Sequence, residues 1–179
     1  GFAGFGGWRG CARRWKRSTT GWTVPTEVRE HSAMTTTASQ TAVPDGFKPV
    51  LFANNPFLEQ VGPLFGRLDG KDFVLGFRVE TRHCNPGGTC HGGMLMMVMD
   101  IALGHAVLHA APDPGFTPTM TMTHDFLRSA RVGDWIESRV DLVHTTRRTG
   151  FANGTLIGPA GPVARSSAVF RLNGQAAGS

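Results

Sequence analysis

The sequence predicts an α+β fold in which an antiparallel sheet of five or six strands encloses one long helix. Three observations predict it. Met94 to His109 is an apolar stretch with the length of a buried helix of about four turns. Several segments alternate apolar and polar residues with the period of two that a half-buried strand requires. The connections between the later segments are short and carry Gly, Pro or Asp, which ties neighbouring strands together antiparallel. A hydrophobic content of 40% over 179 residues is enough to build one domain core.

In chain order, residues 1–49 read as a basic, low-complexity extension, residues 50–173 as the folded domain and residues 174–179 as a short tail. Gly1 to Ala33 holds six Lys and Arg against Glu27 and Glu30, and the rest of the chain carries twelve basic and eleven acidic groups. The formal charge of +5 therefore argues for nucleic-acid contact only at the extension, which is too short and Gly-rich for a helix-turn-helix. The opening GFAGFGGWRGCARRWKRSTTGW has no apolar run long enough for a secretory signal. Met34 reads as a natural translation start, and what precedes it as a flexible tail.

In the domain, Phe57, Val61 and Leu64 lie at helical spacing after Pro56, so Phe52 to Leu68 is expected to contain a short helix. Phe73, Leu75, Phe77 and Val79 then alternate as a strand with one buried face. NPGGTCHGG is a loop, because Pro86 and four glycines leave no room for regular structure. After the long helix and an APDPG turn, strands are expected at Thr117 to Leu127, Trp135 to His144, Phe151 to Ile157 and Val163 to Leu172.

Cys11, Cys84 and Cys90 cannot all pair within one chain, which points to a reducing, cytoplasmic setting. Asp100, His105 and His109 interrupt the apolar stretch and make it a poor membrane span. Neither a nucleic acid nor a membrane is expected as a partner.

Asp100 is the oddity of the helix. Met96, Met97, Leu103, Gly104 and Val107 share its face, none of them charged, and an unpartnered buried carboxylate costs several kcal/mol. Such a group is expected to be used. At the helix start, the N–H groups of Gly92, Gly93 and Met94 have no partner within the helix, and the macrodipole makes that turn favour negative charge. Amide donors and an acid on one element suggest stabilisation of an oxyanion and activation of water. However, Asp100 lies eight residues beyond Gly92, roughly 12 Å along the axis. One chain cannot bring both to one carbonyl, so a two-fold dimer, alone or as a dimer of dimers, is expected to supply Asp100 from the second copy.

Asn85, six residues before His91, together with His91-Gly92-Gly93 and Asp100, resembles the phenylacetate-type (PaaI-like) branch of the hotdog-fold acyl-CoA thioesterases. The similarity runs from about Phe52 to Leu172 and includes TMTMTHDFLRSARVGD, which resembles the family's strand ending in an aromatic-Leu-x-x-Ala turn. The resemblance implies that Gly92 offers its N–H to the thioester oxygen and that Asn85 helps hold the carbonyl and the loop. Asp100 would act as general base or nucleophile, and His91 would support the loop. Thr119 would orient the water, with Thr117, Thr121 and Thr123 as alternatives. A thioester has a good leaving group, so a polarised carbonyl and a positioned water suffice. No Gly-x-Ser-x-Gly elbow is present, and the chain has no Tyr.

Substrate contacts are expected from Gly93, from Met94 and Met97, whose flexible thioethers suit varied acyl groups, and from the turn Arg147, Arg148, Thr149 and Gly150, whose guanidinium groups suit coenzyme A phosphates. No cofactor is expected beyond the coenzyme A of the acyl-CoA substrate, and no metal, because the spacing of His83-Cys84 and Cys90-His91 departs from zinc sites. Two other readings stay open. One is a hotdog hydratase, since HCNPGGTCH echoes an Asp-x-Asn-Pro-x-His signature with His83 in place of the Asp. The other is a non-catalytic acyl-CoA-binding regulator.

Overall fold

The computed structural model describes residues 42–50, 55–70, 72–112 and 116–172. The described residues belong to one compact unit, residues 36–179. The expectations for the extension before residue 42, including Met34 and Cys11, and for the tail at 174–179 lie outside the described residues.

The architecture is α+β. Seven antiparallel strands form one sheet: β1 (Lys48–Pro49), β2 (Phe65–Asp69), β3 (Asp72–Arg78), β4 (Thr119–Phe126), β5 (Trp135–Thr145), β6 (Thr149–Gly158) and β7 (Gly161–Arg171). Their order across the sheet is β1-β2-β3-β5-β6-β7-β4, which leaves β4 as an edge. The short helix α1 (Pro56–Val61) precedes β2, and the long helix α2 (Gly92–Ala110) lies across the sheet.

One expected element is corrected. The helix after Pro56 stops at Val61, and Phe65–Asp69 is a strand paired with β3 in the register Phe65↔Gly76 to Asp69↔Asp72. Pro63 has no N–H with which to prolong the helix, and Gly70, at φ +61°, supplies the tight reversal into β3. The strands therefore number seven, beyond the five or six expected.

The core forms where the inward strand positions meet α2. Leu75, Phe77 and Val79, as their alternation required, are buried with Ile136, Ala152, Leu156, Ala164, Ala168 and Phe170 of the later strands. Each large side chain so buried contributes about 1.5–3 kcal/mol. Small residues on β6 let the helix approach: a Cβ on Gly150 would lie 2.2 Å from Val107 Cγ1, and one on Gly154 2.3 Å from Met99 Cε. Where β3 turns away from β5, the Leu75 N–H is satisfied by the buried Ser138 hydroxyl at 2.9 Å. Seven residues of α2 are buried, among them Val98, Met99, Ala102 and Leu103, so its apolar length serves as the core helix of the domain.

Candidate functional site

The site begins with the loop that leads into α2. Asn85 and Gly88 close a turn through Gly88 N–H to Asn85 C=O at 2.9 Å, with Pro86 at the position whose fixed φ suits it and Gly88 at φ +75°. The Asn85 amide holds this turn from within. Its Oδ1 accepts from the Gly87 N–H at 2.9 Å and the Thr89 N–H at 3.3 Å, and its Nδ2 donates to Thr89 Oγ1 at 3.1 Å. All three contacts lie within the Asn85–Thr89 turn.

His91 is the N-cap of α2. Its Nδ1 accepts from the Gly93 N–H at 2.9 Å, which fixes the ring as a helix cap and engages the Gly93 amide. The Met94 N–H bonds back to His91 C=O at 2.9 Å. Among the described residues, no hydrogen bond is made by the Gly92 N–H. This amide is part of the positive end of the α2 macrodipole, where negative charge is favoured.

Beside Gly92 lies a groove of about 390 Å³, lined among others by Asn85, Cys90, Leu95, Phe126 and Arg128. A Cβ on Gly92 would come within 2.7 Å of the Phe126 ring, so a side chain there would require that exposed ring to move. Phe126 packs against His124 with the rings tilted by 58° and their centroids 4.6 Å apart. His124 Nδ1 lies 2.7 Å from the buried Ser166 Oγ, and burial lowers the His124 pKa while Asp125 raises it less. Sequence reasoning missed Phe126 and Arg128 as groove residues, although the Phe-Leu-x-x-Ala turn that carries them had been singled out.

Asp100 is half-buried, which corrects the expectation of a fully buried acid. The sheet covers the Met94/Leu95, Val98/Met99 and Ala102/Leu103 side of α2, and Asp100 sits on the more open side, next to half-buried Met97, Ile101 and Gly104, where the sheet still reaches the helix at Thr119 and Phe170. Leu103 and Val107, expected beside Asp100, belong to the covered side. Its carboxylate does have a partner: Thr119 Oγ1 donates to Asp100 Oδ1 at 2.7 Å.

A bulge makes that contact. The β4–β7 register runs Phe126↔Ala164, His124↔Ser166 and Met122↔Ala168, then shifts so that Thr119 opposes Phe170 with Met120 left over. Ala164, Ser166, Ala168 and Phe170 are all buried. Thr119 therefore lies on the helix-facing side, where strict alternation would have placed Met120, and Met120 is 63% exposed. Of the four threonines considered, Thr119 is the one in hydrogen bond with Asp100; Thr123 bonds instead to Ser167 C=O at 3.5 Å.

The remaining expected contacts divide. Met94 is a core residue, which corrects its placement as a substrate contact, while Met97 lies on the open side of α2. Arg147 and Arg148 are exposed in a turn closed by Thr146 N–H to Thr149 C=O at 2.8 Å. Gly150 is not at the turn's surface: it is buried in β6 beneath Val107. This turn sits near Val107, seven residues along α2 from Asp100 and so on the Asp100 half of the chain, away from Gly92.

The hydratase-like imidazole is otherwise engaged. His83 ends a single turn of 3₁₀ helix (Thr81–His83), is buried, accepts the Glu80 N–H at Nδ1 (3.0 Å) and places Nε2 3.0 Å from Val61 C=O. Burial lowers its pKa, the Val61 carbonyl raising it less. Among the described residues, no group of three or more His, Cys, Asp or Glu is placed to hold a metal ion.

Comparison with known proteins bears on the family and the fold. The family model of the thioesterase superfamily matches residues 87–158. The chain is 39% identical over 131 residues to the protein named putative esterase PA0474 of Pseudomonas aeruginosa, covering 73% of this chain and 97% of that one. Among solved structures it resembles AziG of S. sahachiroi (TM-score 0.59, 25% identity, 66% of this chain and 96% of that one). It also resembles the phenylacetic acid degradation protein PaaI of Thermus thermophilus in a mutant form (TM-score 0.56, 25% identity, 65% and 98%). The Escherichia coli PaaI protein shares the fold at 21% identity and a TM-score of 0.57, with 68% of this chain and 86% of that one covered.

Proposed function

The chain belongs to the thioesterase superfamily, and from that premise we propose that it hydrolyses acyl- or aryl-CoA thioesters to the free acid and coenzyme A. The observation that carries this reading is the pair of complementary half-sites. One is a helix N-terminus with a free Gly92 amide above a groove; the other is an Asp100 carboxylate hydrogen-bonded to Thr119 on the open side of the same helix.

In the proposed reaction the thioester oxygen accepts the Gly92 N–H, so the negative charge that develops on it in the tetrahedral intermediate meets the positive end of α2. Asn85 and His91 hold the loop that aims this amide. Asp100 takes a proton from water as the water attacks the carbonyl carbon, and Thr119 fixes the carboxylate through its Oδ1. Collapse of the intermediate expels the coenzyme A thiolate, a leaving group stable enough to need no strong acid. Direct attack by the carboxylate is the variant chemistry of the same arrangement.

Gly92 and Asp100 stand roughly 12 Å apart along one helix axis, so the reading joins Gly92 of one copy to Asp100 of another. The open side of α2 and the unpaired edge of β4 support such pairing, since both expose apolar or hydrogen-bonding surface that a second copy would cover. Arg147, Arg148 and Thr149 are proposed to meet coenzyme A phosphates.

The test is Asp100→Asn, assayed on aryl, short-chain and long-chain CoA thioesters. The amide keeps shape and a hydrogen-bond acceptor but cannot take the proton, so kcat should fall by about 10²-fold or more with the melting temperature nearly unchanged. Wild-type turnover in a folded Asp100→Asn protein would reject the role of Asp100.

A further inference from the structure

Cys84 and Cys90 take no part in the proposed hydrolysis, yet the fold sets them face to face. They form an isolated antiparallel bridge at the neck of the Asn85–Thr89 turn. The hydrogen bonds on either side of it, Asn85 N–H to Thr89 C=O (2.9 Å) and His91 N–H to His83 C=O (2.7 Å), identify the cysteines as the non-hydrogen-bonded kind of pair. Their own amides turn outward, Cys84 N–H to Thr81 C=O (3.1 Å) and Cys90 N–H to Ala130 C=O (2.8 Å). In such a pair the Cα atoms stand about 4.5 Å apart with both side chains on the same face of the ladder. That separation lies within the range of roughly 4.4–6.8 Å that a disulfide spans. Both thiols are free. Each makes only a weak contact, Cys84 Sγ to Glu80 C=O at 3.5 Å and Cys90 Sγ to His91 C=O at 3.9 Å, so neither sulfur is held by a strong hydrogen bond.

We propose that Cys84 and Cys90 are a dithiol site that a small-molecule disulfide, such as glutathione disulfide, converts reversibly into a cross-strand disulfide clasping the Asn85–Thr89 turn. Cys84, the half-buried member, loses its proton to solvent and attacks one sulfur of the oxidant, expelling one thiolate and forming a mixed disulfide. Cys90, in turn deprotonated, attacks Cys84 Sγ and expels the second thiolate. Two protein thiols are thereby oxidised and one small disulfide is reduced to two thiols. Burial raises the pKa of both groups, that of Cys90 to about 12 with Cys84 adding to it, so the thiolates are scarce and the exchange is slow. The bond, once made, fastens the residue before Asn85 to the residue before His91, at a wall of the groove that Cys90 itself lines.

The test treats the native full-length chain with glutathione disulfide, blocks remaining thiols with an alkylating agent and digests with trypsin. The peptide His83–Arg128 holds both cysteines and not Cys11. It should be recovered unalkylated and lighter by two hydrogens, revert with dithiothreitol, and come from a protein that melts no lower than the reduced form. Recovery with both cysteines alkylated, closure only in denaturant, or a fall in melting temperature on closure would overturn the proposal. In Cys84→Ser the peptide should carry one alkylated cysteine. None of these readouts depends on thioester turnover, so they stand or fall apart from the hydrolytic reading.

Discussion

His91 shows how one side chain decides which backbone donor at a helix start stays unpaired. Its Nδ1 accepts from Gly93 N–H, so the second glycine of the pair is engaged and Gly92 N–H is the donor left for the proposed reaction. This contact engages Nδ1 and leaves the ring's N–H on Nε2, so whether the imidazole does more than cap the helix is decided by substitution. His91→Ala should cost about 1 kcal/mol of stability, the usual value of a lost N-cap, and lower the melting temperature by a few degrees. His91→Asn supplies another acceptor at the same position and should recover most of both stability and turnover. Turnover abolished in His91→Asn as fully as in His91→Ala would instead assign the imidazole a chemical role.

At the scale of elements, α2 presents two unlike sides. One is buried under the sheet, and the other carries Met97, Asp100, Ile101 and Gly104 half-buried, an apolar surface interrupted by a single acid. If a second copy covers that side, a charge placed on it must be desolvated on association. Met97→Glu should therefore sediment at half the mass of the wild type and lose turnover with it; a wild-type chain that sediments as a monomer while hydrolysing thioesters would contradict a site shared between copies. The elements also show what could be read in advance. The long helix and the five later strands were legible because apolar length and period-two alternation are properties of contiguous residues. Strand β2 was not, because Phe57, Val61 and Leu64 continue a helical spacing across Pro63, and the Asp69-Gly70 turn that marks its far end went unread. The half-sites were legible as residue types, His-Gly-Gly and a lone Asp, but the state of Asp100 was not. An apolar neighbourhood in sequence cannot tell a face covered by the chain's own sheet from one left for another molecule. Thr119 was within reach only through resemblance, because its inward aim comes from the bulge at Met120, and a bulge reverses the alternation on which strand reading depends.

For the whole molecule, buried His83 and half-buried His105 and His124 tie stability to pH. His83, His105 and His124 each have a pKa lowered below the ordinary value near 6.5, burial being the largest cause in every case. His105 is further lowered by His109, whose Nε2 lies 3.1 Å from its own, whereas Val61 C=O and Asp125 partly offset burial at His83 and His124. The contacts agree with neutral rings: His83 Nδ1 accepts a backbone N–H, and buried His105 Nδ1 and His124 Nε2 have no partner among the described residues that would receive a proton. Because these groups bind protons less readily folded than unfolded, the unfolded chain takes up protons first as pH falls. The stability they contribute is therefore complete above about pH 7 and declines as pH drops through the unfolded value near 6.5, levelling once the lower folded values are passed. Urea unfolding should give a constant midpoint between pH 8 and 7 and a falling one from about pH 6.5 to 5. Replacing His105 with Phe, which keeps the ring against Phe73 at a site with no hydrogen bond at Nδ1, should shrink that fall. A midpoint flat from pH 8 to 5 in the wild type would mean that these imidazoles titrate alike in the folded and unfolded chain, and the packing of β3, α2 and β4 around them would have to be looser than their burial indicates.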